Sequence, residues 1–385
     1  MHFESSYKIA LLVPSLRNSG PIIGVYTLAQ YYVREGIFPD IIALSSIAEN
    51  ESLEADFRGL GVDVTILNTS IKHPLSLIKT LRTLIQNKKY KLVHSTGFRP
   101  DIFLSLVRNS INSLRILSTV RSELYNDLKF EHGAVIAALS TRAWVWAFSR
   151  FDVVVPHSLA IKEALCSYGV RPSQMQCIYN GVDTVRFRPP SVAERKAARA
   201  RLAISDDTVV IGHVGHITKL KGVEYIVEAL AQLPRDSNIK FISVGVGDQR
   251  ESLEGRSRAL GISDKIIWAG KQTDVMPYLY AMDIFTLPSW TEGLPRALME
   301  ACATGLPAVV SDIQGCREVV VNGGNGLCVV PGNASALSTA LMRLILSREL
   351  RRSMGESARA RVEQTFSAEA MATGYLKLYE QLGTR

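Results

Sequence analysis

Two glutamates, Glu292 and Glu300, are the most informative candidates for chemistry in this sequence. Eight residues of helix span about 12 Å. A carboxylate pair that acts on a single glycosidic bond has its carboxyls roughly 5 to 9.5 Å apart. The spacing therefore favours two carboxylates that hold separate hydroxyl-bearing parts of one long ligand. The simpler alternative is that Glu292 is a helix-entry acid favoured by the helix dipole and Glu300 is a solvated helix residue.

The elements that position these glutamates can be predicted from the neighbouring residues. Pro295 suits a first helical turn, and Gly305 with Pro307 supplies a stop, so we predict a helix from Pro295 to Thr304. Apolar runs at 284–288 and 308–311 predict buried strands on either side. In such a unit, the loop after the first strand and the amides at the helix start form the usual ligand pocket.

The same alternation of strand and helix patterns extends along the whole chain, which is typical of parallel, doubly wound sheets. The predicted strands are 9–13, 40–44, 62–67, 92–95, 115–119 and 153–155 in the first half, and 209–214, 240–244, 265–268, 284–287, 308–310 and 327–330 in the second. We therefore predict an α/β fold of two Rossmann-like domains, residues 1–190 and 191–365, that face one another across a cleft. Residues 366–385 form an amphipathic terminal helix.

A family resemblance is carried by the run Leu287-Pro-Ser-Trp-Thr-Glu-Gly-Leu-Pro-Arg-Ala-Leu-Met-Glu-Ala-Cys-Ala-Thr-Gly-Leu-Pro307, followed by Gly315, Glu318 and Asn325-Gly-Leu327. This run resembles the signature of the retaining, family 4 glycosyltransferases of GT-B fold. Further matches follow the family order, at 180–189, at Val214-Gly215 with Lys221-Gly222, and at 244–248. The resemblance implies that the terminal helix crosses back to the N-terminal domain. It also implies transfer of a hexose or related sugar from a nucleoside diphosphate sugar to an acceptor hydroxyl, with retained anomeric configuration.

The resemblance also implies roles for the residues of the second domain. Glu292, with Gly293 and Leu294 beside it, would bind the donor sugar, Glu300 would hold the nucleotide ribose, and Gly215 would belong to the donor site. A departing diphosphate needs a cation, and Lys221 is the first candidate because it precedes Gly222 in a loop after a strand. The family normally carries an arginine five residues before this lysine, where this chain has His216. Glu292, Lys221 and His216 are therefore the predicted catalytic residues.

Three residues of the first domain are predicted to contribute to the donor site. Gly20 and Gly24 follow the first strand, where family members use a glycine to bring backbone amides close to phosphate. Arg121, in Ser118-Thr-Val-Arg-Ser-Glu123, stands where the family commonly has a histidine close to the donor sugar. Arg121 either binds an anionic acceptor or the departing phosphate, or forms a domain salt bridge. His94 and Arg99 are candidate acceptor contacts.

Neither a metal nor a further cofactor is expected. The sequence has no Asp-x-Asp cluster suited to a divalent ion at the diphosphate. Gly245-Val-Gly247 lacks the third glycine of a dinucleotide fingerprint, and no Walker lysine motif is present. These absences argue against NAD and ATP chemistry.

The net charge of +8 and a pI near 9.2 favour an anionic partner. Nucleic acid is not predicted, because zinc-finger spacing and RNP-type aromatic motifs are missing. A predicted amphipathic helix carries a basic cluster, which is either an ordinary surface or a docking site for an anionic membrane: Lys72, Lys79, Arg82, Lys88, Lys89 and Lys91. Residues 134–148, with Trp144 and Trp146, are too short to span a bilayer. We predict a buried core helix there, with an acceptor-facing or interfacial helix as the alternative.

The five cysteines show no metal spacing and are odd in number, which favours a reducing cytoplasm. Residues 1–8 do not resemble a signal peptide. The sequence therefore predicts a cytoplasmic protein that is at most peripheral on the inner face of the membrane. The partners expected are a nucleotide-sugar donor and a saccharide or lipid-linked saccharide acceptor, and the basic and aromatic surfaces of the first half favour the lipid-linked one, as in surface polysaccharide assembly, over a soluble one. Two alternatives remain: a sugar-nucleotide epimerase or hydrolase of the same fold, and a catalytically silent nucleotide-sugar-binding subunit.

Overall fold

Two six-stranded parallel sheets organise the chain. The computed structural model describes residues 8–67, 73–108, 110–111, 113–121 and 133–383. Each sheet belongs to one of two units: unit 1 is Met1–Gly181 with Ala368–Arg385, and unit 2 is Val182–Ser367. The predicted α/β class with two Rossmann-like sheets is therefore confirmed.

Unit 1 has the strand order β3-β2-β1-β4-β5-β6. Its strands are β1 (Ile9–Val13), β2 (Asp40–Ala43), β3 (Val64–Ile66), β4 (Leu92–Thr96), β5 (Arg115–Val120) and β6 (Val153–Pro156). Its helices in the first part of the chain are α1 (Gly20–Arg34), α2 (Glu54–Gly59), α3 (Pro74–Lys88), α4 (Phe98–Arg108), α5 (Ala134–Phe148) and α6 (Leu159–Ser167).

Unit 2 has the strand order β12-β11-β10-β7-β8-β9. Its strands are β7 (Val209–Val214), β8 (Ile239–Val244), β9 (Ile266–Gly270), β10 (Ile284–Leu287), β11 (Ala308–Ser311) and β12 (Gly326–Val329). Its helices are α7 (Val192–Arg201), α8 (Val223–Ala231), α9 (Arg250–Ala259), α10 (Met276–Ala281), α11 (Arg296–Ala303), α12 (Gln314–Val319), α13 (Ala334–Leu346) and α14 (Arg348–Thr365). A 3-10 turn, Lys219–Lys221, precedes α8.

The last helix, α15 (Ala368–Gly383), completes the core of unit 1. Tyr375 and Tyr379 are fully buried on the sheet face that α1 also covers. The hydroxyl of Tyr379 lies 2.6 Å from Nδ1 of His94, and Nε2 of His94 lies 2.6 Å from the hydroxyl of Thr119. Apolar packing and buried hydrogen bonds therefore hold the end of the chain on its first sheet.

Unit 1 ends at Gly181, before the predicted boundary at residue 190. The reason is local pairing in unit 2. The backbone N–H of Val182 donates to the carbonyl oxygen of Phe366 at 2.9 Å, and Val182 forms a parallel bridge with Ser367. The two points at which the chain passes between units therefore lie side by side.

Helix α5 differs from its prediction as a buried core helix. Trp144 is 6% exposed and donates from Nε1 to Asp101 at 2.6 Å, whereas Trp146 is 43% exposed. Val135 and Leu139 are 74% and 65% exposed on the same helix. One side of α5 therefore packs into the core, and the other presents apolar side chains to solvent. None of the helices in the described ranges is long and apolar enough to cross a bilayer.

Candidate functional site

An ion pair between two predicted residues is the central feature of unit 2. Oε1 of Glu292, in the loop after β10, accepts a hydrogen bond from Nζ of Lys221 at 2.6 Å and from Oγ of Ser289 at 2.7 Å. The side chains of Glu292 and Lys221 are 10% and 29% exposed. The structure thus brings together a carboxylate and an ammonium that lie far apart in sequence.

Glycines allow the loops around this pair to approach one another. Gly222 has φ +63°, in the left-handed region that favours glycine, and a Cβ there would collide with the carbonyl oxygen of Pro288. A Cβ at Gly315 would collide with the carbonyl oxygen of Glu292 and lie 2.8 Å from the oxygen of Gly293. The backbone thus holds the Glu292 loop between the start of α8 and the start of α12.

Gly215 belongs to the same edge of the sheet. It follows β7, and a Cβ on Gly245 would collide with its carbonyl oxygen. Its neighbour His216 is exposed and has no side-chain hydrogen bond or ion pair with the residues that the structure describes. His216 therefore lies one residue from the close-packed glycines, but no hydrogen bond ties it to the Lys221–Glu292 pair.

Glu300 occupies a separate ion pair on α11. Its Oε1 accepts from Nε of Arg296 at 2.6 Å. The helix runs Arg296–Ala303, with Pro295 as N-cap and Thr304 as C-cap, so the predicted helix is confirmed to within one residue at each end. Leu294, at the end of the Glu292 loop, is buried.

Sequence reasoning missed His213, a histidine within the otherwise apolar strand β7. It is fully buried, and burial together with the nearby charge of Lys221 lowers its pKa to about 3. The imidazole is therefore neutral at physiological pH. The sequence did offer a sign of this buried histidine, because His213 is a titratable residue two positions before Gly215 in a strand that otherwise contains only Val, Ile and Gly.

In unit 1 the structure brings Gly24, Arg121 and Asn180 together. Arg121 donates from a guanidinium nitrogen to Oδ1 of Asn180. A Cβ on Gly24 would collide with that guanidinium and lie 3.0 Å from Oδ1 of Asn180. Gly20, the first residue of α1, has open space around it. Gly24 therefore makes room for Arg121, a role that the sequence did not reveal.

Two histidines of unit 1, His94 and His157, are buried in the core of the unit. The expectation that His94 meets an acceptor is wrong, because it is buried with both ring nitrogens hydrogen-bonded. Burial, and then the charge of Arg121, lower the pKa of His94 to about 3. The same causes lower the pKa of buried His157 to about 3. Arg99, the other candidate acceptor contact, is exposed at the start of α4.

Helices α5 and α3 of unit 1 each present side chains to solvent. On α5, the guanidinium carbon of Arg150 lies 3.8 Å from the ring centre of exposed Trp146. A cavity of about 680 Å³ adjoins this helix and is lined by Ala138, Thr141, Arg142, Val145, Trp146 and Tyr168. On α3, Lys79 and Arg82 are exposed, while predicted Lys72 lies outside the described residues.

Within the described ranges, no three His, Cys, Asp or Glu side chains form a group that could hold a metal ion. The groups that the structure brings together at the site include the ammonium of Lys221, the carboxylate of Glu292, the hydroxyl of Ser289 and the backbone at the start of α8. Together they can bind an anion and accept hydrogen bonds from hydroxyls.

Two protein-family models together match most of the chain. Residues 20–186 match "Glycosyltransferase Family 4", and residues 194–361 match "Glycosyl transferases group 1". The chain is 23% identical to the O-antigen biosynthesis glycosyltransferase WclY of Escherichia coli, over 97% of this chain and 98% of that protein. It is 24% identical to the Escherichia coli UDP-Gal:alpha-D-GlcNAc-diphosphoundecaprenol alpha-1,3-galactosyltransferase, over 79% of each chain.

Among solved structures, the fold resembles that of Anabaena Alr3699/HepE in complex with UDP. The TM-score is 0.85 at 20% identity, and the match covers 98% of this chain and 100% of that chain. At this identity the likeness establishes a shared fold, and the arrangement of the site rests on this chain's own residues.

Proposed function

We propose that this chain, which belongs to the family 4 glycosyltransferases of GT-B fold, transfers a sugar from a nucleoside diphosphate sugar to an acceptor hydroxyl with retention of anomeric configuration. The observation that carries the proposal is the Lys221–Glu292 ion pair at the start of α8. In this pair, Lys221 would bind the diphosphate of the donor, and Glu292 beside it would bind the donor sugar.

In the ligand-free chain each member of the pair compensates the other, with Nζ and Oε1 only 2.6 Å apart. When a donor binds, its diphosphate competes with Glu292 for the ammonium of Lys221 and accepts hydrogen bonds from backbone amides at the start of α8. The carboxylate of Glu292 is then released to accept hydrogen bonds from sugar hydroxyls. As the sugar bond breaks, negative charge grows on the leaving phosphate, and Lys221 stabilises that charge in a partly buried setting.

The donor is the first part of this proposal to test. The complex of Alr3699/HepE with UDP and the UDP-Gal in the relative's name support a nucleoside diphosphate sugar. We would measure thermal shifts with UDP-, GDP-, ADP- and dTDP-sugars, because a ligand at 100 times its Kd stabilises the native state by about 2.7 kcal/mol. A large rise in melting temperature with one nucleotide sugar and not with the others would identify the donor. No shift with any of them would refute donor binding by the free chain.

Stereochemistry and acceptor require a product assay. Once the donor is known, NMR of the product distinguishes retention from inversion, and inversion would refute the retaining assignment. We propose a lipid-linked saccharide of surface polysaccharide assembly as acceptor, supported by the O-antigen and diphosphoundecaprenol relatives. Transfer to a free saccharide with equal kcat/KM would argue against the lipid.

The same proposal locates the chain on the cytoplasmic face of a membrane. The exposed side of α5 combines apolar Val135 and Leu139 with Trp146 stacked under Arg150, a combination suited to an anionic interface. Leu139→Glu is expected to reduce co-sedimentation with anionic vesicles. Leu346→Glu, at a 78% exposed leucine of unit 2, is the matched control and should change nothing. Equal binding by both variants would refute docking through α5.

A further inference from the structure

A row of polar side chains is buried in unit 2, directly under the loops of the candidate site. His213 on β7 and Ser243 on β8 are register partners and are fully buried. Both ring nitrogens of His213 and the hydroxyl of Ser243 lack hydrogen-bond partners within the described part of the chain. Ser311, the last residue of β11, is buried with its hydroxyl unpaired in the same way.

Strand alternation places these residues on one face of the sheet. Ile211, Phe241, Ile284 and Val309 pack on that face against α8 and α13. Two residues further along each strand, the same face carries His213, Ser243, Thr286 and Ser311. The apolar core thus gives way to a polar row at the carboxyl ends of the strands, where the ligand loops begin.

The row is incompletely hydrogen-bonded, which is costly for buried groups and rare in native structures. Thr286 shows that a hydroxyl in this row can be paired, because it donates to the carbonyl oxygen of Val309 at 3.0 Å. Each unpaired buried polar group in a native structure calls for an explanation, and a ligand-dependent role is one.

The His213 ring faces the loop that carries the predicted phosphate ligand. A Cβ on Gly215 would lie 3.4 Å from both Cε1 and Nε2 of His213. Lys221 is close enough for its charge to act on the imidazole. Ser243 immediately precedes Val244 and Gly245, and a Cβ on Gly245 would lie 2.9 Å from the carbonyl carbon of Gly215. Polar groups that lack partners in the free chain therefore lie against the two glycine loops.

We propose that His213, together with Ser243, is a positioning residue for the donor diphosphate. In the free chain, Glu292 holds Lys221, and the imidazole N–H has no acceptor. When the diphosphate takes Lys221, the 215–221 loop adjusts, and His213 donates a hydrogen bond to a backbone carbonyl of that loop. Donor binding thus pairs a group that the free protein buries unpaired. The inference rests on the proposed function, because it assumes that Lys221 binds the diphosphate.

Variants that delete the polar atoms while keeping shape test this directly. His213→Phe and Ser243→Ala are each expected to raise the melting temperature of the free chain by about 2 to 4 °C, because they remove an unpaired buried polar group. The same variants are expected to weaken UDP binding about tenfold in isothermal titration calorimetry, with a matching rise in donor KM. His213→Gln, which keeps an N–H donor, should recover part of the affinity.

Thr286→Val is the matched control in the same row. Its hydroxyl is already paired, so its loss should lower the melting temperature and leave the Kd for UDP unchanged. If His213→Phe does not fold, Ser243→Ala decides the question. If His213→Phe and Ser243→Ala both fold and each binds UDP with the wild-type Kd, the inference is overturned while the proposed function stands. A wild-type chain that binds none of UDP, GDP, ADP and dTDP would overturn both.

Discussion

Gly315→Ala tests whether the backbone packing around Glu292 sets catalytic geometry. Gly315 is the second residue of α12, and its φ is not in the left-handed region, so alanine is conformationally allowed there. Helix propensity alone would make the substitution stabilising by up to about 1 kcal/mol. However, the new Cβ would collide with the carbonyl oxygen of Glu292 and lie 2.8 Å from its carbonyl carbon.

The size of the effect follows from that overlap. Carbon atoms pack best at about 3.5 Å, so the Glu292 loop must retreat by at least ~0.7 Å. A displacement of about 1 Å at a reacting group costs on the order of 100-fold in rate. We therefore expect Gly315→Ala to lower kcat about 10- to 100-fold, while the chain remains folded.

The assay is initial-rate transfer with saturating donor, accompanied by a thermal melt. Gly255→Ala is the matched control, because this glycine also lies within a helix, α9, and its Cβ would meet only the tip of Arg258 at 3.9 Å. The control should gain a little stability and keep its kcat. Wild-type kcat in Gly315→Ala would refute the reasoning that this contact positions Glu292.

Four further outcomes are expected. Glu292→Gln should abolish transfer with a nearly unchanged melting temperature, and normal turnover would remove Glu292 from the site. Lys221→Ala should raise the Kd for the nucleoside diphosphate at least about tenfold, since a charge-assisted contact is lost; an unchanged Kd would contradict its phosphate role. Transfer should survive excess EDTA, whereas loss restored by magnesium would contradict metal independence. Stability should fall between pH 7.5 and 5.5, because His94, His157 and His213 have pKa values near 3 when folded and near 6.5 when unfolded. As the pH falls, these histidines become protonated in the unfolded chain and stay neutral in the folded one, so the free energy of unfolding falls by about 1 kcal/mol for each histidine. A pH-independent free energy of unfolding would refute this.

Much of the fold was predictable because a strand buried on both faces leaves an uninterrupted apolar run. The predictions of 209–214 and 284–287 match β7 and β10 exactly in their bounds. The prediction of 62–67 was longer than β3, Val64–Ile66, which lies at the sheet edge and pairs with one neighbour only. Hydrogen bonds to β2 continue at both ends of β3, since Ile41 N–H donates to the carbonyl oxygen of Asp63 at 2.7 Å and Leu67 N–H donates to that of Ala43 at 2.9 Å. The prediction and the structure therefore differ in where the strand is bounded more than in its pairing.

The site was predictable in its members but not in their contacts. Glu292 and Lys221 came from family-like motifs, and only the folded chain pairs them. Helix α5 shows the opposite limit, because Trp144 and Trp146 are chemically alike yet one is buried and the other exposed. His213 illustrates a third limit, since the predicted strand 209–214 implied its burial, but only the folded chain shows that both of its ring nitrogens lack hydrogen-bond partners among the described residues.

The position of α15 has a consequence for how the chain is made. Unit 2 occupies residues 182–367, so all of it has been synthesised before α15 exists. Unit 1 begins before unit 2, yet its core lacks Tyr375, Leu376 and Tyr379 until α15 has been synthesised. Domains generally fold as units during synthesis, starting from the N-terminus. Here the first unit to be started is the last to be completed, and it holds an open apolar face throughout the synthesis of the second.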